Sequence, residues 1–344
     1  MTKKAIITGI SGQDGAYLAQ HLLALGYKVY GAVRRSSRSA EILPRLKYLG
    51  IENDVELIDF ELSELNNIIR VIKKIKPDEL YNLGGQSFVG TSWEQPLTTN
   101  DINATAVLRL LESIREYSPE TRFYQASTSE MFGAIGAPQC EETPFYPRSP
   151  YGVSKLFGHW ITKNYRESFG IKASSGILFN HESPLRGQEF VTRKISLALA
   201  RIAHGKQDYM ELGNLSAQRD WGFAGDYVQG MHLMTTAKNP SDYVLASGET
   251  NTIRKFVEIA ASFLDMDIAW KGKEIDEEGI NTKSNKTIVK VSSKFFRPAE
   301  VDLLLGDPSK AENELGWKRT KDFKALVEMM IKSDYDAVKS NIII

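Results

Sequence analysis

The chain has 344 residues, with 43 Lys and Arg against 43 Asp and Glu, and one cysteine, Cys140. That length holds a substantial core, as one large domain or two lobes. The balanced charge leaves no electrostatic footprint for nucleic acid or an anionic membrane. The lone cysteine excludes an internal disulfide and suits a reducing cytoplasm, no apolar run approaches membrane-spanning length, and the expectation is of no targeting leader.

Strand and helix signals alternate from the N-terminus. Residues 5–8 (AIIT) read as a strand, followed by glycines three apart at Gly9, Gly12 and Gly15 and an amphipathic helix over 16–25. Such glycines let backbone approach a pyrophosphate, and the helix start offers N–H groups and a positive end. Gln13 and Asp14 sit in the same loop. A second strand, 28–33, ends in Arg34, Arg35, Ser36 and Ser37. An NAD site usually ends this strand with an acid on the ribose 2′-hydroxyl. Two arginines and two hydroxyls suit a 2′-phosphate instead, because guanidinium forks bind phosphate oxygens in pairs. NADP is therefore expected.

Residues 55–58 form the third strand, ending at Asp59, and 65–75 an amphipathic helix stopped by Pro77. A fourth strand, 79–83, leads into Gly84, Gly85, Gln86 and Ser87, with Gln86 a further candidate cofactor contact. A helix over 105–117 shows apolar positions Val107, Leu108, Leu110, Leu111 and Ile114. Strand 123–126 then delivers Ser127, Thr128, Ser129 and Glu130 to its carboxyl end, where α/β sheets place their ligands. A helix from Tyr151 and a strand over 172–178 complete the series. This βαβ alternation predicts a doubly wound, Rossmann-like parallel sheet.

Tyr151 and Lys155 are four apart, so on one helix they share a face. An ammonium beside a phenol favours the phenolate, making Tyr151 a proton acceptor. The Thr128 hydroxyl can share the substrate oxygen that Tyr151 deprotonates. These groups describe hydride exchange between a sugar-type alcohol and a nicotinamide. Glu130 is a second base, needed if a proton beside a new ketone must leave, so the set reads as oxidation followed by elimination of water. Taken singly, each has a plainer reading: Tyr-x-x-x-Lys arises by chance, Ser/Thr runs form turns, and a Glu can cap a helix.

After residue 178 the pattern breaks. Residues 180–194 are a polar stretch leading into a helix ending near His204. Residues 220–226 open another helix, and 243–246 look like a returning strand. Residues 271–290 are charged and read as a solvated surface excursion. The expected division is a dinucleotide-binding domain of 1–179 plus about 223–247, and a smaller substrate lobe of about 180–222 plus 248–344. The five histidines show no paired metal-ligand spacing, so no metal is expected.

Long strings carry a resemblance over nearly the whole chain: residues 8–18 (TGISGQDGAYL), 34–37 (RRSS), 122–130 (RFYQASTSE), 144–151 (PFYPRSPY), 176–184 (GILFNHESP), 190–194 (FVTRK), 219–222 (RDWG), 296–301 (FRPAEV) and 305–308 (LGDP). The chain resembles the GDP-mannose 4,6-dehydratase family of extended short-chain dehydrogenases/reductases, and the glycine spacing matches the short-chain variant of the fingerprint. The related dTDP-glucose dehydratases tend to carry Asp-Glu where Ser129 and Glu130 stand.

The resemblance implies Thr128, Glu130, Tyr151 and Lys155 as the catalytic set. It implies Gly9, Gly12, Gly15, Arg34, Arg35 and Ser36 as NADP contacts, with Asp59 beside the adenine. Asn180, Lys194, Arg219, Arg297 and Glu300 match positions that hold the GDP-sugar. Residues 35–45 match a loop that reaches a neighbouring subunit's cofactor, which implies a homotetramer built from dimers. Gly84 and Gly85 stand where relatives commonly have two alanines, and Phe88 where some have histidine. A GDP-manno-heptose shares the ring of GDP-mannose and stays open as the sugar. An epimerase or simple dehydrogenase, and a catalytically dead NADP-binding protein, are the competing readings. Glu130 argues against the former and the intact set of four against the latter.

Overall fold

The computed structural model describes residues 2–34, 43–295 and 303–343. The chain divides into two compact units, one of residues 1–179, 224–246 and 306–318, the other of 180–223, 247–305 and 319–344.

The first unit runs β1 (Lys4–Thr8), α1 (Gln13–Ala24), β2 (Lys28–Val33), α2 (Pro44–Tyr48), β3 (Glu56–Asp59), α3 (Leu65–Ile75), β4 (Glu79–Asn82), α4 (Val89–Glu94), α5 (Pro96–Asn100), α6 (Ala106–Tyr117), β5 (Arg122–Thr128), α7 (Pro150–Phe169) and β6 (Ala173–Leu178). The second unit contributes β7 (Asn180–Glu182), α8 (Val191–Ala203), β8 (Met210–Leu212), β9 (Gln218–Arg219) and β10 (Trp221–Phe223). The chain then adds α9 (Ala224–Thr236) and β11 (Asp242–Leu245) to the first unit. To the second it adds β12 (Asn251–Thr252), α10 (Ile253–Phe263), β13 (Ile268–Lys271), β14 (Glu278–Asn281), β15 (Lys286–Val291) and β16 (Leu303–Leu304). Helix α11 (Ser309–Leu315) returns to the first unit and α12 (Phe323–Ser340) to the second.

Seven parallel strands form the central sheet in the order β11-β6-β5-β4-β1-β2-β3. The order reverses between β1 and β4, and their carboxyl ends open the crevice where such sheets hold ligands. Strand register explains the core. Ile6, Tyr30, Leu80, Phe123 and Ala173 lie side by side across five strands. That row is buried against Ile68 and Ile72 of α3, Leu110 and Ile114 of α6, and Tyr165 of α7. Two residues on, the same face turns polar: Thr8, Asn82, Gln125 and Ser175 stand in register at the carboxyl end.

In the second unit, β13, β14, β15 and β8 make a four-stranded sheet. Residues 271–290 are thus mostly strand and turn: the expected solvated surface holds at 271–276 and 282–286, which are exposed, and is corrected at Gly279, Ile288 and Val289, which are buried. A bulge is the reason: the β14–β15 register slips between Gly279 and Ile280, and the extra residue Ile288 and its neighbour Val289 are both buried while Lys283 and Lys286 face water. Ile288 and Val289 join Leu199, Phe256, Leu326 and Met330 in this unit's core. The structure also differs from the expected division at residues 306–318. Lys310 Nζ donates to the Asp242 carbonyl at 2.9 Å and Trp317 Nε1 to the Asp226 carbonyl at 2.8 Å, which ties α11 to the first unit. Among the described residues, no helix is long and apolar enough to cross a membrane.

Candidate active site

Thr128 ends β5 and caps a single 3₁₀ turn, Ser129–Met131, its hydroxyl accepting from the Glu130 N–H at 3.3 Å. That bond uses the hydroxyl oxygen as acceptor and leaves its hydrogen to be donated to a substrate oxygen. Helix α7 begins a short distance away because Ser149 caps it, accepting from Gly152 N at 3.0 Å, and Pro150 occupies its first turn. It stops at Gly170, whose φ of +68° only glycine adopts readily. Between those ends Tyr151, Lys155, Gly158, His159, Thr162 and Tyr165 form the buried face. Gly152 lies so close to the Glu130 carbonyl that a β-carbon there would sit 2.9 Å from it. The turn carrying Glu130 and the turn carrying Tyr151 are therefore in direct contact, and the structure brings the four predicted catalytic residues into one unit.

Lys155 is buried at 6% exposure, and its Nζ donates to the Ala126 carbonyl at 2.9 Å. Burial pulls its pKa down to about 8, with the Asp14 carboxylate pulling the other way. The ammonium still predominates at neutral pH. A side-chain ladder leads to the same carbonyl. Thr8 Oγ1 donates to Asn82 Oδ1 at 2.8 Å, Asn82 Nδ2 to Gln125 Oε1 at 2.8 Å, and Gln125 Nε2 to the Ala126 carbonyl at 3.0 Å. The ladder fixes β1, β4 and β5 relative to one another beside the lysine.

Sequence reasoning missed Asn103. Five residues, Asp101–Thr105, form a π-helical turn between α5 and α6. The wider turn aims Asn103 inwards, where Oδ1 accepts from Gln86 N and Nδ2 donates to the Gln86 carbonyl, both at 2.9 Å. Nδ2 also reaches Ser154 Oγ at 3.3 Å, beside Lys155. A β-carbon at Gly85, as the alanine of relatives would add, would lie 2.9 Å from Asn103 Oδ1 and 3.6 Å from Lys155 Nζ, so the Asn103 amide would have to shift to admit it. The Gln86 side chain bonds Phe88 and Thr99, so this residue offers loop backbone more than a free amide. His159 was also missed. Its Nδ1 meets Ser127 Oγ at 3.1 Å, and burial lowers its pKa to about 4, so it is a neutral brace for the strand end.

The loop after β1 has the build of a dinucleotide cradle. Gly9 has φ +72°, and a β-carbon there would lie 2.9 Å from Gly84 N. One at Gly15 would lie 2.3 Å from the Gly9 carbonyl. Gly12 precedes α1 and no side chain caps that helix, leaving its N-terminal dipole facing the crevice. Gln13 is buried and donates to Asp14. Arg34 is exposed where β2 ends, and Asp59 is exposed at the end of β3. These residues fit a bound dinucleotide. Arg35, Ser36 and Ser37 lie outside the described residues.

In the second unit Asn180 opens β7, paired with Trp221 of β10. Lys194 is half-buried in the first turns of α8 with its Nζ 3.5 Å from the centre of the Phe295 ring, and burial lowers its pKa. Arg219 lies on β9 between β12 and β16, bonded to the Gln218 carbonyl at 2.7 Å. Arg297 and Glu300 lie outside the described residues.

Residues 6–330 match a family model described as GDP-mannose 4,6 dehydratase. The chain belongs to the GDP-mannose 4,6-dehydratase family. A relative named GDP-mannose 4,6-dehydratase, from Sinorhizobium fredii, is 49% identical over 340 residues, covering 96% of each chain. One from Drosophila melanogaster is 45% identical over 98% of this chain and 88% of its own. Among solved structures, the fold is similar to RMD from Pseudomonas aeruginosa complexed with NADPH, at TM-score 0.76, 20% identity and coverage of 97% and 99%. It is also similar to dTDP-glucose 4,6-dehydratase from Bacillus anthracis in complex with NAD, at TM-score 0.79, 18% identity and 98% coverage of both chains. At such identities these two speak for the fold alone, whereas the family rests on the full-length relatives.

Proposed function

We propose that this member of the family is itself a GDP-mannose 4,6-dehydratase, converting GDP-mannose to GDP-4-keto-6-deoxy-mannose and water with NADP as cofactor. The observation that carries the reading is the meeting of the Glu130 turn with the start of α7, one turn from a buried, charged Lys155. A nicotinamide bound in the cradle of Gly9, Gly12 and Gly15 would supply a hydride acceptor for C4 and a hydride donor for C6.

The protein's own groups handle the protons. Thr128 donates its hydroxyl hydrogen to O4 and orients it. Tyr151 takes the O4 proton on its phenolic oxygen, and the Lys155 ammonium on the same helix face favours the phenolate that does so. A 4-ketone makes the C5 proton acidic. Glu130 removes that proton and delivers it to the C6 hydroxyl, which leaves as water; C5 then takes a proton from solvent, and Tyr151 releases the O4 proton to solvent, which closes the balance. An epimerase or plain dehydrogenase needs no such second base.

NADP over NAD is motivated by Arg34 and the adjoining Arg35, Ser36 and Ser37. A bidentate phosphate contact of that kind contributes roughly 1.5–3 kcal/mol. A homotetramer goes with this reading. A cytoplasmic location does too, since a nucleotide-sugar enzyme with one free cysteine suits a reducing compartment. The test is direct: purified protein with NADP and GDP-mannose should yield a product lighter by one water, and NAD should support the reaction more weakly. No water loss from GDP-mannose sinks the reading, and equal affinity for NAD removes the cofactor part.

A further inference from the structure

Arg193 is among the largest fully buried side chains in the protein, at 1% exposure, and it sits in the first turns of α8 next to Lys194. Its Nε lies 2.8 and 2.9 Å from the two carboxylate oxygens of Asp334, which is fully buried in α12. Its Nη1 donates to the carbonyls of Pro184 and, at 3.1 Å, Arg186. Ser196 Oγ completes the shell around Asp334. The guanidinium thus joins the C-terminal helix to an irregular segment between β7 and α8. A second tie brackets the same segment: Glu182 accepts from Thr192 Oγ1 and pairs with Arg186 Nε at 3.1 Å.

Stability alone is a poor reason for such a pair. Desolvating two charges is costly, and apolar side chains of similar volume often do as well or better in the same space. Burial pushes Asp334 up to about 6, which records that cost. What an apolar pair would not supply is the grip on two loop carbonyls. Asn180 and Lys194 stand at the two ends of the gripped segment, 180–194.

We infer that the Arg193–Asp334 pair is a positioning element for GDP-sugar binding, holding the 184–186 turn and the rotation of α8 so that Asn180 and Lys194 meet the nucleotide diphosphate. The inference rests on the proposed function for the identity of the ligand. Arg193 and Asp334 are positioning residues and touch no reacting atom.

The decisive variant is the double substitution Arg193→Met with Asp334→Leu. It keeps the site filled and removes both buried charges together, while freeing the two carbonyls. Expected are an unchanged or raised melting temperature and a Kd for GDP, by calorimetry, weakened by roughly tenfold to a hundredfold. The KM for GDP-mannose should rise in step, with kcat at saturation moving much less. A folded double variant with wild-type GDP affinity and KM overturns the inference. Should the double variant not fold, Arg193→Lys keeps a charge against Asp334 but loses the fork. It should show the same KM-dominated defect, and a wild-type KM there overturns the inference. Wild-type protein that neither binds GDP nor dehydrates GDP-mannose overturns the functional reading as well, which separates the two failures.

Discussion

Lys155 keeps an ammonium almost wholly out of water, with the Ala126 carbonyl as hydrogen-bond partner and the Asp14 charge as counterweight. A lysine pKa lowered from 10.5 to about 8 means that burial costs about 3 kcal/mol at neutral pH. The folded state binds fewer protons than the unfolded one between those two values. The cost is therefore full below about pH 8 and is relieved as pH rises towards 10.5. Lys155→Met should accordingly fold more stably at pH 7 by about 2 kcal/mol, after allowing about 1 for the lost hydrogen bond. It should also lose nearly all turnover. Thermal melts at pH 7 and pH 10 check this, and an advantage that grows with pH contradicts it. Glu130→Gln makes a different prediction. Overall turnover should fall by roughly 10²–10⁴, the usual worth of one acid–base group, while oxidation at C4 survives. Absorbance of reduced cofactor should then build up, and solvent deuterium should not enter C5. Water release near the wild-type rate would make Glu130 structural. The placement of Thr128 and Glu130 at a strand end and of Tyr151 and Lys155 on one helix face was legible in the sequence because both are read by spacing. Asn103 was not, since an asparagine in a helical stretch carries no mark of the extra residue that turns it inwards.

Helix α7 shows how far element-level reading reaches. Ser149, Pro150 and Gly170 announce its ends, and the four-residue spacing of Tyr151 and Lys155 gives its inner face. Its outer face carries Val153 at 55% exposure, Phe157 at 44% and Trp160 at 49%, a run of i, i+4 and i+7. An apolar row of that length on a helix facing water is a surface for association. If the proposed tetramer forms, light scattering should report four chains, and Trp160→Glu should shift the protein to smaller species. A fully active monomer at low concentration would remove the assembly. By contrast, the strands within 271–290 were hidden by charge. Short antiparallel strands with solvated lysines give a weak alternation, and the sheet is completed by β8, whose Met210 pairs with Val289 of β15 from far back in the chain. Strands β1 and β2 of the first unit were plain because burial on both faces makes them near-continuous apolar runs.

At the scale of the molecule, the expected boundaries near 180, 223 and 247 came from breaks in the strand-helix alternation. The return of 306–318 to the first unit left no such break, because it depends on a lysine and a tryptophan finding distant carbonyls. The chain therefore passes between the two units five times, at 179/180, 223/224, 246/247, 305/306 and 318/319. This ordering matters for synthesis. Domains generally fold as units while the ribosome is still working. Here the seventh strand of the central sheet, β11, leaves the ribosome only after the first segment of the other unit has been made, and α11 later still. A nascent chain arrested before residue 242 has an open edge on β6 that the finished protein never shows. Neither unit can be cut out as a continuous cassette and exchanged with a relative's. A change confined to the second unit must be written into three separate stretches of the chain, 180–223, 247–305 and 319–344, each stitched back to the first unit.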